Sequence, residues 1–360
     1  MKIIIVSGCF YPLNTPRAFR TTELVKRFVK LGHSVTLYIP ESDDDISDFL
    51  SVYPVRVKRY RRDEDILFKG SSIVARVGNR LMAQFFEYPS VKIIKPLISA
   101  LKQESQYDLL ISIAMPHSIH WAIGKLYASG KRLAKTWVAD CGDPYMLCGT
   151  NQYKHPAYFA KQEKRWCTYC DYISVPTEAA KDGYYPEFRD KIRVIPQAFD
   201  FEEVKRKEYK PNLVPTFAFS GNLIPKVRDP RPLLDYLSSL GKGFKFILYA
   251  SKHHLVTPYK ETLGDKVEVR GYIPRLDLLY ELSGMDFLIN IENATQVQTP
   301  SKLIDYALTH RPILSVNPLN LDKAAIDQFL VGDYSNQYMV KDVEQYNIVN
   351  VAQQFLDLAE

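Results

Sequence analysis

This sequence predicts an α/β chain built from two doubly wound parallel sheets, and three observations carry that prediction. Short apolar runs such as Lys2–Ser7, 108–113 and Phe287–Ile291 show no in–out alternation, the mark of strands covered by helices on both faces. These runs alternate with amphipathic helical stretches, the order that builds βαβ units. A polar, charged stretch at 202–210, followed by Pro211 and Pro215, separates one such series from a second.

The first series opens with Lys2–Ser7. Phe19, Leu24, Phe28 and Leu31 then recur at helical spacing as far as Gly32, and residues 34–39 form the next strand. Strands follow at 108–113, 136–139, 172–175 and 192–195, with helices at 118–128 and 157–170. Beyond the linker, strands fall at 216–220, 245–249, 267–270, 287–291 and 313–316, with helices at 232–240, 276–283 and 301–308. The expected division is an N-terminal Rossmann-like domain over 1–204 and a C-terminal one over 205–345, with a final helix, 346–360, able to pack back on the first. Open sheets of this kind bind ligands beyond the carboxyl ends of their strands, so two such domains facing each other enclose one cleft.

Of the 360 residues, 46% are apolar, 24% charged and 12% aromatic, which excludes disorder, collagen and coiled coil. Five cysteines are too few and too scattered for a disulfide framework, so a reduced compartment is expected. The short apolar run before Pro12 does not read as a secretory signal, and no stretch approaches the ~20 apolar residues of a membrane span. The expectation is a soluble, cytoplasmic protein.

The net charge of +6 is confined to residues 51–105, which carry eleven basic residues against five acidic ones; the rest of the chain is neutral. Within this segment, 71–86 places Ile73, Val77, Leu81 and Phe85 on one helical face with Arg76 and Arg80 on its flank. Such a helix either packs into the domain with its arginines solvated or rests on an anionic membrane surface through residues 56–86. The latter would put the protein at the inner face of the membrane. No nucleic-acid-binding motif is present.

Four places along the chain suit an anionic, hydroxyl-rich ligand. In Thr299-Pro300-Ser301-Lys302 a helix starts with a good N-cap and a Pro at its first position, and its charged residue is a lysine where an acid is normal. A cation beside a positive helix end makes sense with an anion between them, held by the amides of Ser301 and Lys302. Asp305, on the same face, could accept from ribose hydroxyls. A solvated lysine and an exposed aspartate on a surface helix would read the same way. The second place follows strand 216–220, where Gly221-Asn222 turns into a loop carrying Lys226, Arg228 and Arg231. The third is Gly8 with Arg17 and Arg20 in the first turns of the next helix. The fourth joins Asp140 and Asp143 at a strand end with the loop His117 to His120; Asp143 could equally cap a turn before Pro144. Cys167 and Cys170 have no second pair at zinc spacing and fall in a helical pattern, which points to a structural role.

Taken in order, Gly8 with Arg17 and Arg20, Leu31-Gly32-His33-Ser34-Val35, 137–144, Glu163 through Asp171-Tyr172-Ile173-Ser174, 194–200, Ser220-Gly221-Asn222-Leu223, Val269-Arg270-Gly271-Tyr272 and 299–308 resemble a GT-B glycosyltransferase of family 4 over nearly the whole chain. The resemblance implies a glycosyltransferase that moves a sugar from a UDP- or GDP-sugar to a glycan or lipid-linked acceptor in cell-surface polysaccharide biosynthesis. Transfer would be retaining and independent of metal or other cofactor. It implies that Ser301, Lys302, Gly221, Asn222 and Arg228 hold the diphosphate and Asp305 the ribose. It also has Gly8 approach the donor phosphate and His117 touch the donor sugar, with Arg17, Arg20, Asp140 and Asp143 on the acceptor side. The family's paired glutamates, however, fall on Val297 and Asp305, and Asn222 stands where an arginine is usual. A catalytically inactive, nucleotide-sugar-binding scaffold is the alternative these departures leave open. A nicotinamide dehydrogenase is disfavoured because Cys-Phe-Tyr-Pro, not a Gly-rich fingerprint, follows Gly8. An epimerase would share the architecture.

Overall fold

The computed structural model describes residues 1–62, 67–147, 155–250, 253–292 and 301–360. The chain forms two units, Met1–Phe199 with Gln345–Glu360, and Asp200–Glu344.

The first unit is a seven-stranded parallel sheet: β1 Lys2–Ser7, β2 Ser34–Pro40, β3 Arg56–Tyr60, β4 Tyr107–Ile113, β5 Ala134–Asp140, β6 Tyr172–Val175 and β7 Ile192–Val194. Its order is β3-β2-β1-β4-β5-β6-β7, so the winding reverses between β1 and β4. The apolar run of β1 is explained by its place: Ile3, Ile4, Ile5 and Val6 are fully buried. Ile4 and Val6 join Leu110 and Trp137 in one core layer, while Ile3 and Ile5 join Leu109 and Val138 in the other. The helix Pro16–Lys30 covers the second layer, and its N-cap Thr15 accepts from Ala18 N at 3.2 Å. Also in that layer is the C-terminal helix Ile348–Asp357, whose Val351 and Phe355 are buried with Leu24 and Phe28. Phe199 N donates to Tyr346 O and Ile348 N to Phe199 O, both at 2.9 Å, so the returning chain is tied to the point where the first pass leaves. β3 has no counterpart in the sequence reading, because three of its five residues are basic; at the sheet edge it keeps Arg56 and Arg59 exposed, while Lys58 pairs with Glu104.

The second unit is a five-stranded parallel sheet of β8 Thr216–Ser220, β9 Lys245–Tyr249, β10 Val267–Arg270, β11 Phe287–Ile291 and β12 Ile313–Val316, in the order β10-β9-β8-β11-β12. Phe217 stacks between Phe246 and Phe287, with ring centroids 4.8 and 4.6 Å away, which locks the three central strands. Winding reverses between β8 and β11. The helix Ser301–Leu308 is braced against this point by Tyr306, whose hydroxyl accepts from Ser220 N at 2.8 Å.

Candidate functional site

In the second unit the chain leaves β8 at Gly221, where φ is +128°, a value that favours glycine. A tight turn follows, closed by Arg228 N donating to Ile224 O at 2.8 Å and Ile224 N to Arg228 O at 3.1 Å. Asp229, buried, organises this loop: it accepts from Lys226 N at 3.3 Å and from Arg231 N at 3.1 Å and Nε at 2.8 Å. The Arg231 side chain thereby holds its carboxyl at about 2. The loop's three cations therefore meet three fates. Arg231 is spent on Asp229, Lys226 is exposed, and Arg228 keeps a buried Nε without a partner among the described residues. Asn222 is exposed.

Lys302, in the first turn of Ser301–Leu308, sits over the Phe219 ring at 4.7 Å, with its ammonium 3.5 Å from Ile291 O at the end of β11. Among the described residues no carboxylate pairs with it. Burial, with the Arg228 charge added, lowers its pKa to about 7. Two basic side chains thus converge where the winding of the sheet reverses, with no carboxylate paired to either among the described residues. Burying charge without a partner is expensive, which is why the ammonium gives up its proton so readily. Thr299, Pro300 and Val297 lie outside the described residues, as does the Ser301 side chain.

Asp305 is not the open carboxylate the sequence suggests. Arg275 donates to its Oδ1 through Nε at 2.9 Å and through a terminal nitrogen at 2.5 Å, both side chains being about one-fifth exposed. Burial raises the Asp305 pKa and Arg275 opposes the rise. The sequence reading missed Arg275. Its signal was the same one that marked Lys302: a basic residue at the first position of a helix, Arg275–Leu282, after Pro274.

In the first unit, Gly8 has a packing reason to be glycine. A Cβ there would fall 2.5 Å from Pro116 Cδ and 2.6 Å from Met115 O, so the loop after β4 crosses directly over the end of β1. Asp140 is a buried hub that receives Arg17, Arg20 and, at 2.7 Å, Ser174 Oγ. Burial alone would raise its pKa, but the two guanidiniums hold it at about 2. Arg20 is only 1% exposed; it also donates to the carbonyls of Ile195 and Pro196 and lies over the Phe355 ring. It is an internal brace rather than a surface contact. Arg17, less buried, donates to Ala114 O at 2.6 Å. Asp143 is exposed.

His117 and His120 divide in the same way. His120 belongs to a closed chain: Trp137 Nε1 donates to Ser112 Oγ at 2.7 Å, Ser112 Oγ meets His120 Nδ1 at 2.8 Å, and His120 Nε2 meets Cys141 Sγ at 3.4 Å. Indole N–H can only donate, so Ser112 Oγ accepts from Trp137, and both His120 ring nitrogens have a neighbour in this chain. His117, His120 and Cys141 bring their ligand atoms within 4.8 Å of one another, but this chain already occupies two of the three. His117, capping the helix Ser118–Ala128, is buried with Nδ1 unpartnered. Burial, assisted by Arg17, lowers its pKa to about 4, so it is a neutral ring near pH 7. Glu163, which the sequence marks only through the resemblance, is fully buried; its Oε1 accepts from Met146 N at 3.4 Å and Oε2 has no partner. Burial raises its pKa to about 7. Cys167 and Cys170 are buried and unbridged.

No family model and no curated protein matches the chain by sequence. Solved structures match it in fold. A glycosyltransferase from Rickettsia africae superposes with a TM-score of 0.62 at 12% identity, covering 99% of this chain and 97% of that one. HepE from Anabaena, solved in complex with UDP, gives 0.61 at 9% identity over 99% of both chains. The lipopolysaccharide outer core galactosyltransferase WaaB gives 0.59 at 13%, again over 99% of both. The two parallel α/β units are those of the GT-B fold.

Proposed function

We propose that this protein is a glycosyltransferase that moves a sugar from a UDP- or GDP-sugar to a glycan or lipid-linked acceptor in cell-surface polysaccharide biosynthesis. The observation that carries the reading is the half-buried pair Lys302 and Arg228, neither with a carboxylate partner among the described residues, beside a helix start and beyond the reversal between β8 and β11. Solved structures of similar fold with UDP and with UDP-glucose bound support it.

The barrier in such a transfer is the departing diphosphate, on which negative charge grows as the glycosidic bond breaks. Lys302, Arg228 and the amides of Ser301 and Lys302 are donors fixed before the reaction begins, so they stabilise that charge more than they stabilise the ground state. They supply the positive charge without a metal. Transfer would retain configuration, with the leaving phosphate oxygen taking the acceptor proton. Asp305, oriented by Arg275, keeps Oδ2 for a ribose hydroxyl. Gly221 and Asn222 line the diphosphate. His117, a neutral ring with a free Nδ1, is suited to a sugar hydroxyl rather than to a phosphate. On the acceptor side Arg17 and Asp143 are the accessible residues, while Asp140 and Arg20 hold Arg17 in place.

The test is a thermal-shift panel of UDP, GDP, ADP and CMP, followed by hydrolysis of the matching nucleotide-sugars with and without acceptor mixtures. One nucleoside diphosphate should raise the melting temperature, and its sugar should turn over. No shift with any diphosphate overturns the donor site; a shift without turnover makes the chain a binding protein.

A further inference from the structure

The helix Ile73–Phe86 is amphipathic, and its apolar side faces outward. Ile73 is 71% exposed, Val74 76%, Val77 52% and Leu81 51%. The side turned inward is Ala75 and Gly78. A packed surface helix has the opposite arrangement, so the packed alternative raised by the sequence does not hold.

Two details show that this ridge is built rather than frayed. Gly78 makes room for a neighbour: a Cβ there would lie 2.7 Å from the Phe68 ring. Asn79 clamps the Phe68 backbone, accepting from its N–H at 3.1 Å and donating to its carbonyl at 2.8 Å. Leu67 and Phe68, both exposed, are thereby fixed alongside the helix and widen the apolar strip. Among the described residues nothing covers this strip, and an exposed apolar strip marks an interaction surface.

Charge decides what covers it. At 100° per residue, Arg76 and Arg80 form one flank of the strip. From residue 67 to 86 there is no acid at all, and the whole excess charge of the chain lies between 51 and 105. Glu87, the next acid, is drawn inward onto the Tyr145 hydroxyl at 2.8 Å. A second copy of the chain docking symmetrically would set these arginines against their own counterparts. An apolar strip edged by cations matches an anionic lipid surface, acyl boundary against the strip and headgroups against the arginines. No helix is long and apolar enough to cross a membrane, and these 14 residues, roughly 21 Å, would fall short of ~30 Å of hydrocarbon. We infer that the helix Ile73–Phe86, with Leu67 and Phe68, lies in the headgroup plane of an anionic bilayer and docks the first unit there.

Flotation of the full chain with phosphatidylcholine vesicles, with and without about 30 mol % phosphatidylglycerol, tests this. The protein should float with the anionic vesicles and lose affinity as salt is raised to about 0.5 M. Val77→Glu with Leu81→Glu should abolish flotation, and Arg76→Gln with Arg80→Gln should weaken it roughly 25-fold, about fivefold per charge near the surface. Absence of wild-type binding, or binding unchanged by Val77→Glu with Leu81→Glu, overturns the inference. So does a wild-type dimer that the same pair dissociates while no vesicle is bound. If the glutamate pair fails to melt cooperatively, the glutamine pair decides. The nucleotide thermal shift should be the same in all these variants, so the donor reading stands or falls separately.

Discussion

Replacing Lys302 by Met separates ligand binding from folding. The ammonium is held at a pKa of about 7 instead of 10.5 by burial and by Arg228. That drop corresponds to a penalty of at most ~5 kcal/mol on the charged form, and solvent reaching a partly exposed side chain reduces it to about 1–2 kcal/mol. Lys302→Met removes the penalty, so the ligand-free protein should melt about 2–4 °C higher. The same change deletes a charge-assisted hydrogen bond to the diphosphate worth ~1.5–3 kcal/mol, so UDP should bind about 10- to 150-fold more weakly. A bound diphosphate raises the Lys302 pKa above its free value. Affinity is therefore full below about pH 7 and falls by up to about tenfold per pH unit above it. Calorimetric titration of UDP at about pH 6 and about pH 9 should show that slope in the wild type and a flat response in Lys302→Met. A mutant that binds UDP as tightly as the wild type, or that melts lower without ligand, refutes the reasoning.

Arg275→Met should leave Asp305 buried without its partner, cost about 1–3 kcal/mol in denaturant melts and weaken UDP as well; unchanged UDP affinity would detach Asp305 from the site. Arg20→Leu strands a buried carboxylate at Asp140 and should cost roughly 3–5 kcal/mol by chemical denaturation. Because the folded pKa of Asp140 is depressed to about 2 from 3.8, its contribution is full above the unfolded value and is lost as pH falls through this window, which acid titration of the wild type should show. For Glu163 the sign is reversed: with a folded pKa of about 7 against 4.5, the native state binds the extra proton, so stability falls as pH rises across that interval. Glu163→Gln should flatten that part of the stability profile; an unchanged profile would place the titration elsewhere.

The sheets were legible in the letters because burial on both faces demands apolar runs: Ile3 to Val6 carries no polar residue, and Phe287 to Ile291 carries only Asn290, which bonds to Ser315 on the neighbouring strand. β3 escaped because an edge strand can carry Arg56 and Arg59 in solvent and satisfy Lys58 with a distant partner, Glu104. At the candidate site, Lys302 stood out by breaking a local rule, and the fold sets it over the Phe219 ring within reach of the Arg228 charge. What one-dimensional reading lacks is pairing. Nothing near Asp305 names Arg275, 30 residues away, and nothing near Arg20 names Asp140, 120 residues away. A lone arginine looks alike whether it meets a ligand, as proposed for Arg228, or is absorbed by a neighbour, as Arg231 is by Asp229. The His117–His120 pair shows the same limit, since only the fold reveals that one imidazole is committed to Ser112 and Cys141.

The bonds between Phe199 and the Tyr346–Ile348 segment make the second unit an insertion within the first. During synthesis the N-terminal sheet must therefore wait for its last covering helix, with Phe28 and Leu24 lacking Phe355 and Val351, until everything in between has left the ribosome. The same seam runs parallel, Phe199 lying beside Asn347, so a gene that omits the second unit would need a short turn to join 199 to the segment that re-enters there.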